Sequence, residues 1–213
     1  MLMSDEAPRS PGCHVAAHPA GFTSAAELLF GVSQFGHYAT AWHRRDGAEP
    51  GPAAGLAPMV LDLHALNFAL WHHEDAARRP DAGDREVADR KRRIDRLNAR
   101  RNAAIEHIDA TLLDRLAPRL RPGAELHTET PGTIVDRLSV LTLRILHTSG
   151  AHADRLRVLD EQHADLCRAL EALLIRLEHG EARYKVYRQY KTAEQHPGCH
   201  LIGEITLDGG DMS

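Results

Sequence analysis

The chain has 213 residues, 26 Lys and Arg against 30 Asp and Glu, a formal net charge of −4 and 15 His. That length suits one domain with a substantial core, and the acidic balance argues against nucleic-acid binding, which needs a basic excess or stripe. No apolar run nears the ~20 residues that cross a bilayer, the start MLMSDEAPRS has neither part of a signal peptide, and three Cys are too few for a disulfide scaffold. A soluble, cytoplasmic protein is expected.

Taken in chain order, breakers and periodicity mark out helices. Residues 1–22 hold Pro8, Pro11, Gly12, Pro19 and Gly21 with little apolar content and read as a flexible arm. A first helix is expected over about 23–43; a Pro- and Gly-rich loop (Arg44–Pro58) leads to a second over about 59–78. The turn RPDAGD (Arg79–Asp84) precedes a long third helix, 84–116, and RPGAELHTET (Arg121–Thr130) precedes a fourth, 131–149. Thr130 is placed to cap that fourth helix with Pro131 at its first position, and Ile134, Leu138, Leu141 and Ile145 make its apolar stripe. In a fifth helix, 152–179, the residues Leu156, Leu159, His163, Leu166, Leu170, Leu173 and Leu177 recur at alternating steps of three and four. This is a leucine seam, stopped by Gly180. A short helix at 181–191 would close the domain, and Leu201–Leu207 is the one strand-like stretch in an irregular tail, 192–213. The expected architecture is all-α: a compact bundle of five or six helices forming a single helical domain over 23–191.

Three of these helices carry polar rows where bundle helices normally show interchangeable charge. At ~100° per residue, Lys91, Asp95, Asn98, Asn102, Glu106 and Asp109 fall in a band about 80° wide. It borders the apolar stripe of Ile94, Leu97, Ala104, Ile105 and Ile108, with Arg92, Arg93, Arg96, Arg100 and His107 on the opposite, solvated face. Asn and Asp in mid-helix cost propensity because their side chains compete for backbone hydrogen bonds, so something should offset them. In the helix at 59–78, Asn67, Trp71, Glu74 and Arg78 share a row near His64 and Asp75. In that at 131–149, Asp136, Val140, Leu143 and His147 share one flanked by Arg137 and Arg144. Any single row reads equally as solvated pairs one turn apart, such as Lys91–Asp95 or Glu74–Arg78. Three together, with two Asn, a Trp and a His, predict a buried polar site between the three helices.

Four stretches resemble, in order and spacing, the signature blocks of a bacterial domain-of-unknown-function family, number 4254. They are LWHHEDAAR (Leu70–Arg78), KRRIDRLNARRNAAIEHID (Lys91–Asp109), ETPGTIVDRLSVLTLRILH (Glu129–His147) and YRQYK (Tyr187–Lys191), and the resemblance covers about residues 23–191. It implies a compact helical domain. Through the association of relatives with cell-surface glycan genes, it also implies a link to carbohydrate or nucleotide-sugar metabolism. The family pattern falls on the row residues named above other than His64, Val140, Leu143 and Arg144, and adds His72, Arg101, Ser139, Tyr187, Gln189 and Lys191. The chain departs from it at Arg144, where relatives usually carry Lys. It departs again after Lys191, where Thr192-Ala193-Glu194-Gln195 replaces a Met-Tyr-Asn-Asp type run.

The favoured chemistry is acid–base work on an anionic small molecule, whether phosphorylated, nucleotide-sugar-like or carboxylated. Arg78, Arg101, Arg137 and Lys91 would hold the anion, helped by Asn67, Trp71, Asn98 and Asn102 and, by the resemblance, by Tyr187 and Lys191. His147 or Glu106 would move the proton, and Asp95 or Asp136 would orient that histidine. A second reading is Mg²⁺-dependent hydrolysis of the all-α nucleotide pyrophosphatase kind. Glu106-x-x-Asp109 with Glu74 and Asp75 would then hold the ion, although the acid wanted one turn after Glu74 is Arg78 here. A third is a non-catalytic binding or assembly protein, with a homodimer through the Leu156–Leu177 seam and Trp71 and the Tyr184–Tyr190 cluster as contacts. No cofactor is firmly implied. The lack of any Glu-x-x-His argues against a di-iron bundle, and Ser139 stands in no nucleophile motif. His163 reads as a core histidine, and Cys13-His14 with His196–His200 lack the paired spacing of a zinc site.

Overall fold

The computed structural model describes residues 23–45, 47, 55–148 and 150–187. The expected arm at 1–22, the strand-like Leu201–Leu207 and the tail at 192–213 lie outside them. Six α-helices follow in order: α1 (Ser24–Ser33), α2 (Phe35–Arg44), α3 (Leu56–Ala77), α4 (Asp84–Leu116), α5 (Pro131–His147) and α6 (Ala153–Glu178). The all-α expectation holds, since the strands among the described residues are the two-residue β1 (Glu125–Leu126) and β2 (Ala182–Arg183), paired in parallel. No helix among the described residues is long and apolar enough to cross a membrane.

The central element is α5, because its side chains enter all three apolar clusters. Ile134, Val135 and Leu138 join Leu28, Phe35, Leu63, Ile108, Leu112, Leu170 and Leu174 in the main core. Leu143 packs with Ala39, Trp42, Ala65 and Phe68, and Leu141 and Ile145 pack with Leu159. Burial on all these sides is what makes polar side chains on α5 costly unless each is hydrogen-bonded. The helix starts as its sequence predicts: the Thr130 hydroxyl accepts from the Thr133 N–H, and Pro131 occupies the first turn.

The structure corrects several sequence expectations. The single helix expected over 23–43 is two, broken at Gln34. Tight apposition of α1 on α3 accounts for the break: a Cβ on Gly31 would lie 3.0 Å from the Ala57 carbonyl oxygen and from Val60. With α1 fixed there, the turn at Gln34 lets α2 aim Phe35, Ala39 and Trp42 inward. The short helix expected at 181–191 is absent from its described part. Gly180 ends α6 at φ 68°, where a Cβ would meet the Arg119 carbonyl oxygen at 2.3 Å. The chain then pairs with β1, and the buried Tyr184 hydroxyl donates to the Asp109 carbonyl at 2.7 Å.

The leucine seam is spent inside the chain. Leu159, His163, Leu170, Leu173 and Leu177 are buried and Leu156 and Leu166 pack half-buried beside them, so this stripe is not a surface for a homodimer. His163 is a core histidine, its Nε2–H donating to the Thr142 hydroxyl at 3.4 Å.

Asp109 is a structural residue. Its carboxylate accepts from the Gly132 N–H at 2.7 Å and from the Thr130 hydroxyl, so a side chain of α4 satisfies the first turn of α5. Burial pushes this carboxyl up to about 6, against the two donors, which favour its charged form. Gly132 is required for the approach, because a Cβ there would stand 2.8 Å from Asp109 Oδ1. Asp109→Ala strands two buried donors, at ~1–3 kcal/mol each. The expected result is a melting temperature lower by roughly 5–10 °C, measured by calorimetry; an unchanged melting temperature would refute the capping role.

A candidate anion cleft between three helices

The predicted rows meet. Asn67, Leu70, Trp71, Glu74 and Asp75 of α3, with Arg78 just past its end, face Asn98 and Arg101 of α4 and Val140, Leu143 and Arg144 of α5, with Arg155 of α6 at the edge. Together they line a cleft of about 530 Å³, inside the range of small-molecule sites. A recess of about 240 Å³ adjoins it, lined by Asp136, Arg137, Leu141, Gln162 and Leu166 and sharing Arg101, Val140 and Arg144. The middle of α4 leaves room for the cleft, for none of its residues between Ile94 and Ile108 is fully buried.

The floor is a continuous hydrogen-bond relay. The His64 Nε2–H donates to the Phe35 carbonyl at 3.0 Å, and His64 Nδ1 accepts from the Ser139 hydroxyl at 2.7 Å. Ser139 in turn accepts from the Asn67 amide at 3.0 Å, and that amide also donates to Asp136 Oδ1 at 2.9 Å. Arg101 closes the chain with a two-pronged ion pair to Asp136, its Nε donating to Oδ1 at 2.7 Å. His64, Asn67, Asp136 and Ser139 are all buried, and the relay joins α2, α3, α5 and α4.

The walls differ from the floor. Arg78 pairs with Glu74 at 3.0 Å on the surface, a bond worth ~0–1 kcal/mol that a ligand can displace. Arg144 and Arg155 have no ion-pair partner among the described residues, and the Asn98 side chain has no hydrogen-bond partner there. Trp71 Nε1 is buried without an acceptor, a rarity for an indole N–H.

The other predicted residues lie elsewhere. Lys91 and Asp95 form an exposed pair one turn apart, 3.2 Å between charged atoms, beside the buried Ile94; Asp95 is paired there and not with His147. Asn102 and Glu106 are half-buried on α4 and do not line the cleft. Arg137 pairs with Glu129 at 2.6 Å, Tyr187 is 67% exposed, and Lys191 lies outside the described residues. Among the described residues, no three of Glu74, Asp75, Glu106 and Asp109 come within shared ligand reach of one ion, because Asp109 is drawn into the α5 cap.

His147 is not in the cleft but behind Trp71, whose ring stacks on it at 4.9 Å and 25°. Its Nε2 lies 3.1 Å from Nε2 of His43, and a ring nitrogen of each of His43, His72 and His147 lies within 4.8 Å of the others. Burial, then the neighbouring His43 and His147, push His72 below the ordinary histidine range. His43 and His72 also line a separate recess of about 400 Å³ with Trp42, Phe68 and His73. His43 and Arg155 gave no sequence signal, being lone residues brought in by α2 and α6. His72 sits one position from Trp71 and so projects about 100° away from its row.

An all-α domain with an arginine-walled cleft over a buried polar relay is what the geometry defines. The family described as "Protein of unknown function (DUF4254)" matches residues 57–186. That is more than half of the chain, and the chain belongs to this family. No curated protein and no solved structure matches it.

Burial pushes His64 down to about 3, against ~6.5 in the unfolded chain. The unfolded state thus takes up a proton that the folded state refuses. Stability from this group is complete above about 6.5 and is lost as pH falls toward 3, at ~1.4 kcal/mol per pH unit. Urea midpoints measured from pH 7 to pH 4.5 should fall more steeply for the wild type than for His64→Gln. Parallel curves would show that His64 titrates freely in the fold.

Proposed function

We propose that the chain is a small-molecule enzyme that binds an anionic substrate (phosphorylated, nucleotide-sugar-like or carboxylated) in the α3–α4–α5 cleft and acts on it by acid–base chemistry. The observation that carries the reading is the pair of guanidinium groups, Arg144 and Arg155, in the cleft wall without acidic partners among the described residues. Cations that line one cleft without an ion-pair partner repel one another, and a bound phosphate or carboxylate offsets that repulsion with charge-assisted hydrogen bonds. Arg78 joins them once released from Glu74, and the Asn98 amide adds a donor at the same wall.

Within this reading the relay has a positioning role. Asp136 is neutralised by Arg101 and holds it at the cleft floor, which leaves Asp136 unsuited to proton transfer. Glu74 and Asp75 are the carboxyl groups that line the cleft, and displacement of Arg78 by substrate would free the Glu74 carboxylate to act as base. A cytoplasmic, biosynthetic setting belongs to the same proposal.

The test is a thermal-shift screen with inorganic pyrophosphate, nucleotide sugars and dicarboxylic acids. Ligands that bind the native state raise the melting temperature through RT ln(1 + [L]/Kd). A hit should weaken about 10-fold or more in the Arg144→Ala/Arg155→Ala double variant, the loss of at least one charge-assisted bond. It should keep its affinity in Lys91→Ala. Equal binding by the double variant would refute the assignment, and silence across the panel would favour a binding or assembly protein.

A further inference from the structure

Two of the clustered histidines have their proton assignments dictated by the backbone. His43 Nδ1 lies 2.7 Å from the Ala39 carbonyl oxygen, and His147 Nδ1 lies 2.8 Å from the Leu143 carbonyl oxygen. A carbonyl only accepts, so each Nδ1 carries hydrogen, and a neutral imidazole has just one. Both Nε2 atoms therefore present lone pairs, and they face each other at 3.1 Å. Two lone pairs at that distance need a cation between or beside them.

We propose that His43, His72 and His147 form a mononuclear site for a borderline divalent transition ion, zinc being the type. The spacing fits: two nitrogens at ~2.0–2.1 Å from one tetrahedral Zn²⁺ stand ~3.3 Å apart. The donor set fits too, since neutral imidazoles favour zinc and its neighbours, whereas Mg²⁺ wants oxygen. A histidine whose second N–H is held by a backbone carbonyl is the usual outer arrangement around such an ion. The ring of His72 makes no hydrogen bond among the described residues, which leaves it free to turn in from within 4.8 Å. Phe68 sits edge-on against His43 and His72, with ring centroids at 4.8 and 4.4 Å, and Trp71 stacks on His147. Aromatic rings thus back the three imidazoles on one side and leave the site open to solvent on the other. Three protein ligands leave a fourth position for water or substrate, the pattern of a reactive site rather than a purely structural one. The inference is independent of the anion cleft, from which Trp71 separates the three histidines.

Full-length protein stripped of metal should take up one equivalent of Co²⁺ with the visible absorption of four-coordinate cobalt, and Zn²⁺ should displace it. Losing a ligand should exceed the ~10–100-fold effect of an outer-shell change, so His43→Ala, His72→Ala and His147→Ala should each weaken Zn²⁺ binding at least that much. His107→Ala, on the exposed face of α4, should leave it unchanged. Ring-nitrogen NMR of the wild type gives a second readout that needs no variant: Zn²⁺ should move Nε2 of His43 and His147 while both Nδ1–H signals persist. A wild-type chain that binds no stoichiometric Co²⁺, or binding that survives His43→Ala/His147→Ala, would overturn the proposal. The two rings would then be sharing a proton instead.

Discussion

The structure depends on keeping polar side chains satisfied along a helix buried on several sides. Asp136, Ser139 and Thr142 all lie on α5, between residues of the three apolar clusters. Each would cost a few kcal/mol if left without a partner. The solution is the relay from the Phe35 carbonyl through His64, Ser139, Asn67 and Asp136 to Arg101, in which every link has one donor and one acceptor. Donation runs outward from the Asn67 amide, through Ser139 and His64 to the Phe35 carbonyl on one side and to Asp136 on the other, where Arg101 also donates. The relay therefore fixes the azimuth of α3 and the height of α4 against α5 more tightly than apolar contact alone can.

That constraint also produces the cleft. Arg101 is drawn across to Asp136, so the facing stretch of α4 stays off the core and opens a space bounded by Asn98, Trp71 and Arg144. Asp109 sets the other end by tying α4 to the first turn of α5. The cleft is the gap between these two attachments. Its floor is rigid because its charges are paired and buried, and its walls are available because theirs are exposed or unpaired. The histidine cluster sits at the opposite end of α5, tied to backbone carbonyls in the last turns of α2 and α5.

Much of this was legible in the sequence because it rests on periodicity. The row Asn67, Trp71, Glu74, Arg78 lines the cleft in full, and the apolar stripe of α5 is buried throughout. The row on α4 was legible as a direction and not as one environment. A helix of 33 residues runs ~50 Å, so the same azimuth passes from solvent at Lys91 and Asp95 to half-burial at Asn102 and full burial at Asp109. Periodicity reports the angle around a helix and not the position along the bundle. That is why Asp95 and Asp109 looked equivalent to Asn98. The break at Gln34 carries no Pro or Gly and follows from the close contact at Gly31, a tertiary cause. The end at Tyr184 likewise turns on a partner, the Asp109 carbonyl, 75 residues distant in sequence. The histidine trio combines residues from three helices with no common spacing.

The central claim is that the space over the relay is an anion site walled by arginine. The most direct measurement follows the arginine Nε–Hε signals by NMR while inorganic pyrophosphate is added. Shifts concentrated on Arg78, Arg144 and Arg155, with Arg101 still protected by Asp136, are what the account predicts. Shifts confined to Arg92, Arg93, Arg96 and Arg100 on the solvated face of α4, or spread evenly over all arginines, would contradict it.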